Sequence, residues 1–322
     1  MKMFSIVVPT YKRPALLRQC LEALCRQDYA PEHYEIIVCD DGPDAGTETL
    51  VSEFASRCRS AVHYVPVTGT QGPAGARNQG WKRAEGRIVA FTDDDCIPDS
   101  GWLKAAEQVF RDRNISAAMG KIVMPVPAVP TDYQRDAKGL ETADYVTANA
   151  FFRRKALAAV GGFDERFRLA WREDTDLFFS VMERQGTVVK IAAAVVVHPL
   201  RPAPWGISLS QQRKAFYNAL IYKKHPRLYR EKVQRHPPFL YYAILGLLLI
   251  SGWTACNGFV RAAQAGLLGW VLLTAYFILK RLKGNSLDPA HIGEMIWTSL
   301  LIPPLAVFWR LAGAVRYRVL FF

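Results

Sequence analysis

The run Arg87-Ile88-Val89-Ala90-Phe91-Thr92-Asp93-Asp94-Asp95 sets an apolar, β-rich segment directly against three carboxylates. Its first part has the composition of a strand buried on both faces, as in a parallel sheet. Its last part is costly to bury unless a cation compensates it, because neighbouring carboxylates repel one another. Hard oxygen ligands at this density suit Mg2+ or Mn2+ shared with a diphosphate. A solvated acidic turn would explain the triplet taken alone. Its place at the end of an apolar strand favours the ligand reading.

Working outward, Phe4–Val8, Glu35–Cys39 and Val62–Val67 read as further strands. Helical patterns separate them: Pro14–Cys25, with Leu16, Leu17, Cys20, Leu21 and Leu24 on one face, then Gly46–Phe54, Ala74–Ala84 and Gly101–Phe110. Strands alternating with helices of this length predict an α/β domain with a largely parallel, Rossmann-like sheet and a ligand site beyond the strands' carboxyl ends. A second acidic cluster, Asp40-Asp41-Gly42, ends the second strand. A carboxylate there can accept from a base N–H or a ribose hydroxyl, although Asp-Gly is also a common turn. Gly72 through Asn78 leads into a helix and could offer backbone N–H groups and Arg77 to phosphate. It is not a P-loop, since GxxxxGK[ST] is absent.

Two later features bear on chemistry. Gly161-Gly162-Phe163-Asp164 precedes Trp171-Arg172-Glu173-Asp174-Thr175-Asp176, where a helix is expected to start near Glu173. Acids at a helix start ordinarily complement its dipole, which explains one or two of them better than three. His198 follows the apolar run Val188–Val197; a single histidine there is more often structural than a ligand.

The charge of +12 is unevenly spread. Residues 199–322 hold 16 Lys/Arg against 3 Asp/Glu, whereas residues 1–198 hold 25 against 26. The basic residues flank apolar runs, which points to anionic lipid rather than nucleic acid. Phe239–Val260 is 22 residues without a charge and Ala262–Leu279 is 18 more. Each is long enough to span, with Asn257-Gly258 as the turn between them. Lys232, Arg235, Lys280, Arg281 and Lys283 lie at the two outer ends, which places those ends and the large domain in the cytoplasm by the positive-inside rule. A third run, Met295–Trp309, has 15 uncharged residues and contains Pro303-Pro304. It reads as a re-entrant or interfacial segment, about 292–315. Ser208–Lys224 reads as a basic helix with aromatics, either on the headgroup surface or simply solvated. The expected division is therefore 1–200 catalytic, 201–238 a Pro-rich joint with the basic helix, and 239–322 membrane. The six cysteines form no CxxC pair, and their spacing points to neither a disulfide framework nor a zinc site, in keeping with a reducing compartment.

Six motifs in this order resemble family 2 glycosyltransferases of the GT-A fold, membrane-anchored and non-processive, over about residues 3–200. They are Val7 through Pro14, Cys39-Asp40-Asp41-Gly42, Gly72 through Gly80, Phe91 through Asp95, Gly161 through Glu165, and Arg172 through Asp176. The resemblance implies that Pro9, Thr10, Tyr11 and Asp41 contact the nucleoside of a nucleotide-sugar donor, that Arg77 approaches its phosphates, and that Arg13, Gly72 and Asn78 also belong to the donor site. It implies that Asp93 and Asp95 hold the donor through Mg2+ or Mn2+, with Asp94 assisting, His198 as a further metal ligand, and Asp174 of the Glu173-Asp174 pair as general base. It implies inverting transfer of one sugar to a hydroxyl of a lipid-linked or other membrane-proximal glycan acceptor, in cell-envelope polysaccharide biosynthesis at the inner or plasma membrane. The QxxRW signature of processive synthases is missing: Gln211-Gln212-Arg213-Lys214-Ala215 lacks its Trp and its spacing. A sugar nucleotidyltransferase is the alternative enzyme, disfavoured because Pro9-Thr10-Tyr11-Lys12 stands where a GxGTRL-like loop belongs. A non-catalytic nucleotide-sugar-binding membrane scaffold is the other alternative. The segment Pro125–Tyr145 is assigned to the acceptor side.

Overall fold

A computed structural model of the chain describes residues 2–184 and 186–321. Contacts divide it into two units, one of residues 1–125 and 138–200, the other of 126–137 and 201–322.

The first unit is built on an eight-stranded sheet. Its strands are β1 (Phe4–Thr10), β2 (Tyr34–Asp40), β3 (Ala61–Pro66), β4 (Ile88–Phe91), β5 (Ile97–Pro98), β6 (Ile115–Val123), β7 (Ala150–Arg153) and β8 (Thr187–Val197), in the order β3-β2-β1-β4-β7-β6-β8-β5. β1, β2, β3 and β4 pair in parallel, and so do β6 and β8. β7 is antiparallel to both β4 and β6, and β5 to β8. β2 is buried throughout and β1 at every residue but Pro9, as continuous apolar runs require. The unit's helices are α1 (Pro14–Cys25), α2 (Ala45–Arg57), α3 (Pro73–Arg83), α4 (Trp102–Phe110), α6 (Arg154–Val160) and α7 (Glu173–Glu183); α5 (Asp132–Lys138) follows β6 and, but for Lys138, belongs to the second unit. α1 buries Leu17, Cys20, Leu21 and Leu24, as the spacing predicts. In α3, Gly80 lies against Val7 and Cys39 where a Cβ has no room, so this helix packs close on the sheet.

Strands β5, β6 and β7 have no counterpart in the sequence reading. β6 reads Ile-Ser-Ala-Ala-Met-Gly-Lys-Ile-Val, whose small middle residues carry little β signal. Those small residues are needed there. The β6–β8 register shifts between Gly120 and Lys121, and Gly120 leaves space for the buried Asn149 amide. Asn149 donates to the carbonyls of Lys121 and Ala194, each at 2.9 Å, and accepts from Trp102 Nε1 at 2.8 Å. This clamp fixes the end of β8, and the next residue, His198, donates its N–H to the Val123 carbonyl at 2.8 Å.

Cys25 and Cys58 are joined by a disulfide, correcting the expectation from cysteine spacing. They lie 33 residues apart, and the packing of α1 on α2 brings their ends together. Of the remaining cysteines, Cys20, Cys39 and Cys96 are buried and free.

The second unit holds α8 (Ile207–Gln211), α9 (Ala215–Lys224), α10 (Pro226–Lys232), α11 (Phe239–Cys256), α12 (Val260–Leu282) and α13 (Pro289–Tyr317). α11 stops at Cys256 because Asn257-Gly258 turns the chain, with Gly258 at φ +80°. The region expected as a short segment at 292–315 forms one helix of 29 residues that runs through Pro303-Pro304. α11, α12 and α13 are each long and apolar enough to cross a membrane. Part of the Pro-rich segment after β6 also belongs to this unit. Asp132 N–H donates to His291 Nε2 at 3.0 Å, Ser286 N–H donates to the Pro130 carbonyl at 2.8 Å, and Arg135 donates to Asn285 at 3.5 Å. Buried Arg281 donates to Asp132 at 2.6 Å, to Thr298 at 2.6 Å and to Ser299 at 3.0 Å. Removing one member of a buried pair leaves the other charge uncompensated. Arg281→Met should therefore cost about 3 kcal/mol and lower the thermal midpoint in detergent, while D132N/R281M should recover more than half of the loss.

Candidate active site

The site collects at the carboxyl ends of β1, β2, β4 and β8, where chain direction places every loop that leaves the parallel strands. The three carboxylates after β4 do not share one environment. Asp93 Oδ1 accepts from Arg77 at 2.8 Å. Asp94 turns back to β1, accepting from Thr10 Oγ1 at 2.9 Å and from Arg13 at 3.4 Å. Asp95, fully buried, faces His198 Nε2 at 3.6 Å. Separate partners relieve the mutual repulsion that makes the triplet costly. Burial still pushes the Asp94 carboxyl up to about 6, against the opposing pull of Arg13 and Thr10.

Arg77 is the link across the site. It lies on α3, is 3% exposed, and donates one terminal nitrogen to Asp93 and the other to Glu173 Oε1 at 2.9 Å. One guanidinium thus joins the end of β4 to the first turn of α7. The sequence reading gave Arg77 to phosphate; here its two ends are engaged with carboxylates. Asn78, next to it, is likewise engaged. Its amide donates to the Phe163 carbonyl and to Glu165, and its oxygen accepts from Phe163 N–H and Trp81 Nε1, at 2.8–2.9 Å. It holds the Gly161–Glu165 loop in place, rather than facing outward.

Arg172, which precedes α7, has φ +75°, a left-handed backbone uncommon for a side-chain-bearing residue. That turn starts the helix at Glu173-Asp174. Glu173 is buried, and its Oε2 has no hydrogen-bond partner among the described residues. Asp174 is partly exposed, and its Oδ1 accepts from Thr175 N–H at 2.6 Å. Burial raises the carboxyls of both Glu173 and Asp174 above the ordinary range, and the charge of Asp174 adds to the effect on Glu173.

On the opposite flank, Tyr11 is half exposed and Gly42 makes room for its ring, since a Cβ at Gly42 would sit 2.6 Å from Tyr11 Cε2. Asp41 accepts the Gly72 N–H with both oxygens, at 3.0 and 2.8 Å. Gly72 is at φ +109°, with the Arg168 carbonyl beside it, so a side chain there is doubly disfavoured. Asp40 is a structural cap, accepting from Gly42 N–H and Tyr64. Pro9 is partly buried at the end of β1.

Asp95, Cys96 and His198 bring three ligand atoms within 4.8 Å of one another. His198 Nδ1 lies 3.3 Å from the Pro199 carbonyl. A proton held there leaves the Nε2 lone pair facing the Asp95 carboxylate, an arrangement that a cation satisfies. The donor set of oxygen, nitrogen and sulfur fits Mn2+ better than Mg2+. Asp93 stands outside this group, on Arg77. Cys96 is the member that the sequence reading missed; its place directly after the carboxylate run was the available signal.

A glycosyl transferase family 2 model matches residues 5–161, so the part of the chain that carries Thr10, Arg77 and the strand-end carboxylates is a family 2 glycosyltransferase domain. Glycosyltransferase AglE of Haloferax volcanii is 26% identical over 168 residues, covering 49% of this chain and 55% of that protein. The chain thus spans about half the length of that relative. The GalNAc(5)-diNAcBac-PP-undecaprenol beta-1,3-glucosyltransferase of Campylobacter jejuni is 33% identical over 108 residues, 34% of each chain. Among solved structures, mannosyltransferase PcManGT from Pyrobaculum calidifontis, in complex with GDP-Man and Mn2+, matches with a TM-score of 0.60 at 19% identity. That match covers 98% of this chain and 86% of the other, and shows that the fold is shared.

The Arg77 link has a measurable consequence. Arg77→Met strands two carboxylates in a buried site and should destabilise the first unit by about 3–5 kcal/mol. R77M/E173Q should recover a large part of that stability in denaturant unfolding, without recovering activity.

Proposed function

We propose that the chain transfers one sugar from a nucleotide-diphosphate sugar to an acceptor hydroxyl, with inversion and with Asp174 as general base. The observation that carries this reading is the Arg77 bridge, which holds a diphosphate-side carboxylate cluster and an acid pair on opposite ends of one guanidinium. The exposed Tyr11 ring suits stacking on the donor base, and Asp41 and Thr10 line the same strand ends. Asp95 and His198, with Cys96, would hold Mn2+ or Mg2+, which supplies Lewis-acid charge to the departing diphosphate when bound. Asp174 accepts the proton of the acceptor hydroxyl as that oxygen forms its bond to the anomeric carbon. The bond from that carbon to the diphosphate oxygen breaks with its electron pair leaving on the diphosphate. Glu173, fixed by Arg77, positions Asp174 at the start of α7.

A lipid-linked or membrane-proximal glycan is the acceptor we favour. The Pro-rich segment leaves β6 and within three residues joins the unit that carries the apolar helices, which supports an acceptor delivered at a membrane. Basic residues at the outer ends of the α11–α12 hairpin support a cytoplasmic catalytic unit. The Cys25–Cys58 disulfide is the observation on the other side, since such bonds persist in oxidising compartments.

Asp174→Asn should lower kcat by about 10²–10⁴ while leaving donor affinity within a few-fold, as read by single-turnover kinetics and calorimetry. Unchanged transfer in a folded variant would remove Asp174 from this role. A base must be deprotonated to act. Because burial raises the Asp174 pKa, the acid limb of kcat/KM should lie above the range of an exposed aspartate, about 4, and activity should fall as pH drops through it. EDTA should abolish transfer, Mn2+ should restore it better than Mg2+, and Cys96→Ser should narrow that preference.

A further inference from the structure

α13 has the length and composition of a third span, about 43 Å of helix, yet its packing within the second unit is not that of one. Residues 205–229 run beside it from end to end and in the same direction. Near its start, Gly206 N–H donates to Glu294 at 2.7 Å, and Trp205 Nε1 to the Ala290 carbonyl at 3.3 Å. Further along, the Arg213 guanidinium lies 5.8 Å from the Trp309 ring, and Gly313 lies against the Phe216 carbonyl where a Cβ would not fit. At its end, Lys223 donates to the Tyr317 carbonyl at 2.7 Å, and Tyr222 and Tyr229 pack on Phe321 at 5.1 and 5.5 Å.

This flanking stretch carries Arg213, Lys214, Lys223 and Lys224, and further on Arg227, which pairs with Glu231 at 2.8 Å. If α13 crossed a bilayer, Arg213 and Lys214, level with Trp309, would be carried into it against a cost of about 2.5–3.5 kcal/mol for each charge near the centre, while Lys223 and Lys224, level with Tyr317, would stand at one end. The other face of α13 is different. Ile296, Trp297, Phe308, Leu311 and Val315 are 45–79% exposed and form an apolar side without a charge. α13 also meets the hairpin at its mouth: Ile302 clusters with Ile244, near the start of α11, and Phe277, near the end of α12. The remainder of the hairpin exposes Leu249, Trp253, Leu268 and Leu272.

We propose that α13 and the parallel α8–α10 stretch form a platform in the plane of an anionic bilayer surface, apolar side down and basic side toward the headgroups. Only α11 and α12 then cross, and residue 320 stays on the same side as Lys283.

The test uses the full chain in sealed phosphatidylcholine–phosphatidylglycerol vesicles, with the exposed Cys256 replaced by Ser. Nitroxide labels at Trp297→Cys, Phe308→Cys and Val315→Cys should report one shallow depth by power saturation against oxygen and a nickel chelate. A depth maximum at Phe308 with shallow ends would overturn the proposal. Independently, Leu320→Cys and Lys283→Cys should react with a membrane-impermeant maleimide from the same side; reaction from opposite sides would overturn it. Replacing Lys223 and Lys224 with Glu should move the Val315 label outward in these vesicles and not in pure phosphatidylcholine. Equal depths in both lipids would remove the electrostatic part.

Discussion

The Arg77 guanidinium is the contact on which the rest of the site depends. Three charged groups, each costly to bury alone, are tolerable together because one cation satisfies Asp93 and Glu173 at the same time. The sheet supports this from below, since β4 delivers Asp93 and α3, drawn close by Gly80, delivers Arg77. The left-handed turn at Arg172 supports it from the other side by starting α7 at Glu173. The same bridge fixes the distance between the strand-end carboxylates and the candidate base. A loose connection there would leave acceptor and donor poorly aligned, and alignment supplies a substantial share of enzymatic rate.

Much of the fold was legible because the signals were redundant. Phe4–Val8 and Glu35–Cys39 are continuous apolar runs, and Leu17, Cys20, Leu21 and Leu24 keep helical spacing, so local pattern and tertiary packing agree. The antiparallel β7 and the small-residue strand β6 were not legible. β6 is shaped by the Asn149 clamp and the register shift at Gly120, which are long-range requirements without a local pattern. The site shows the same division. The acidic clusters stood out because burying like charges needs a reason. That Arg77 and Asn78 spend their hydrogen bonds inside the protein could not be seen from spacing, because their partners lie up to 96 residues away. Cys96 and the Cys25–Cys58 pair were hidden for a related reason: a cysteine's neighbours, not its spacing, decide whether it binds a metal, a second sulfur or nothing.

In the second unit, run length does not separate α13 from α11 and α12, and our proposal for it rests on what flanks it. α11 and α12 expose apolar surface along most of their length, whereas α13 is apolar on one side and flanked by basic residues on the other. Hydropathy averages over both sides and cannot distinguish these cases. The segment 126–137, leaving β6 and held by Arg281 and His291, makes the unit with the apolar helices continuous in sequence with the unit that holds the sheet at three points rather than one.

The central claim is that the two acidic clusters divide the work, one facing the leaving diphosphate and the other moving the proton of the attacking oxygen. A single displacement across that divide must invert the anomeric carbon. Determining the anomeric configuration of the product against that of the donor, by proton NMR coupling constants, tests this most directly. An α-linked donor should give a β-linked product. A retained α linkage would contradict the account.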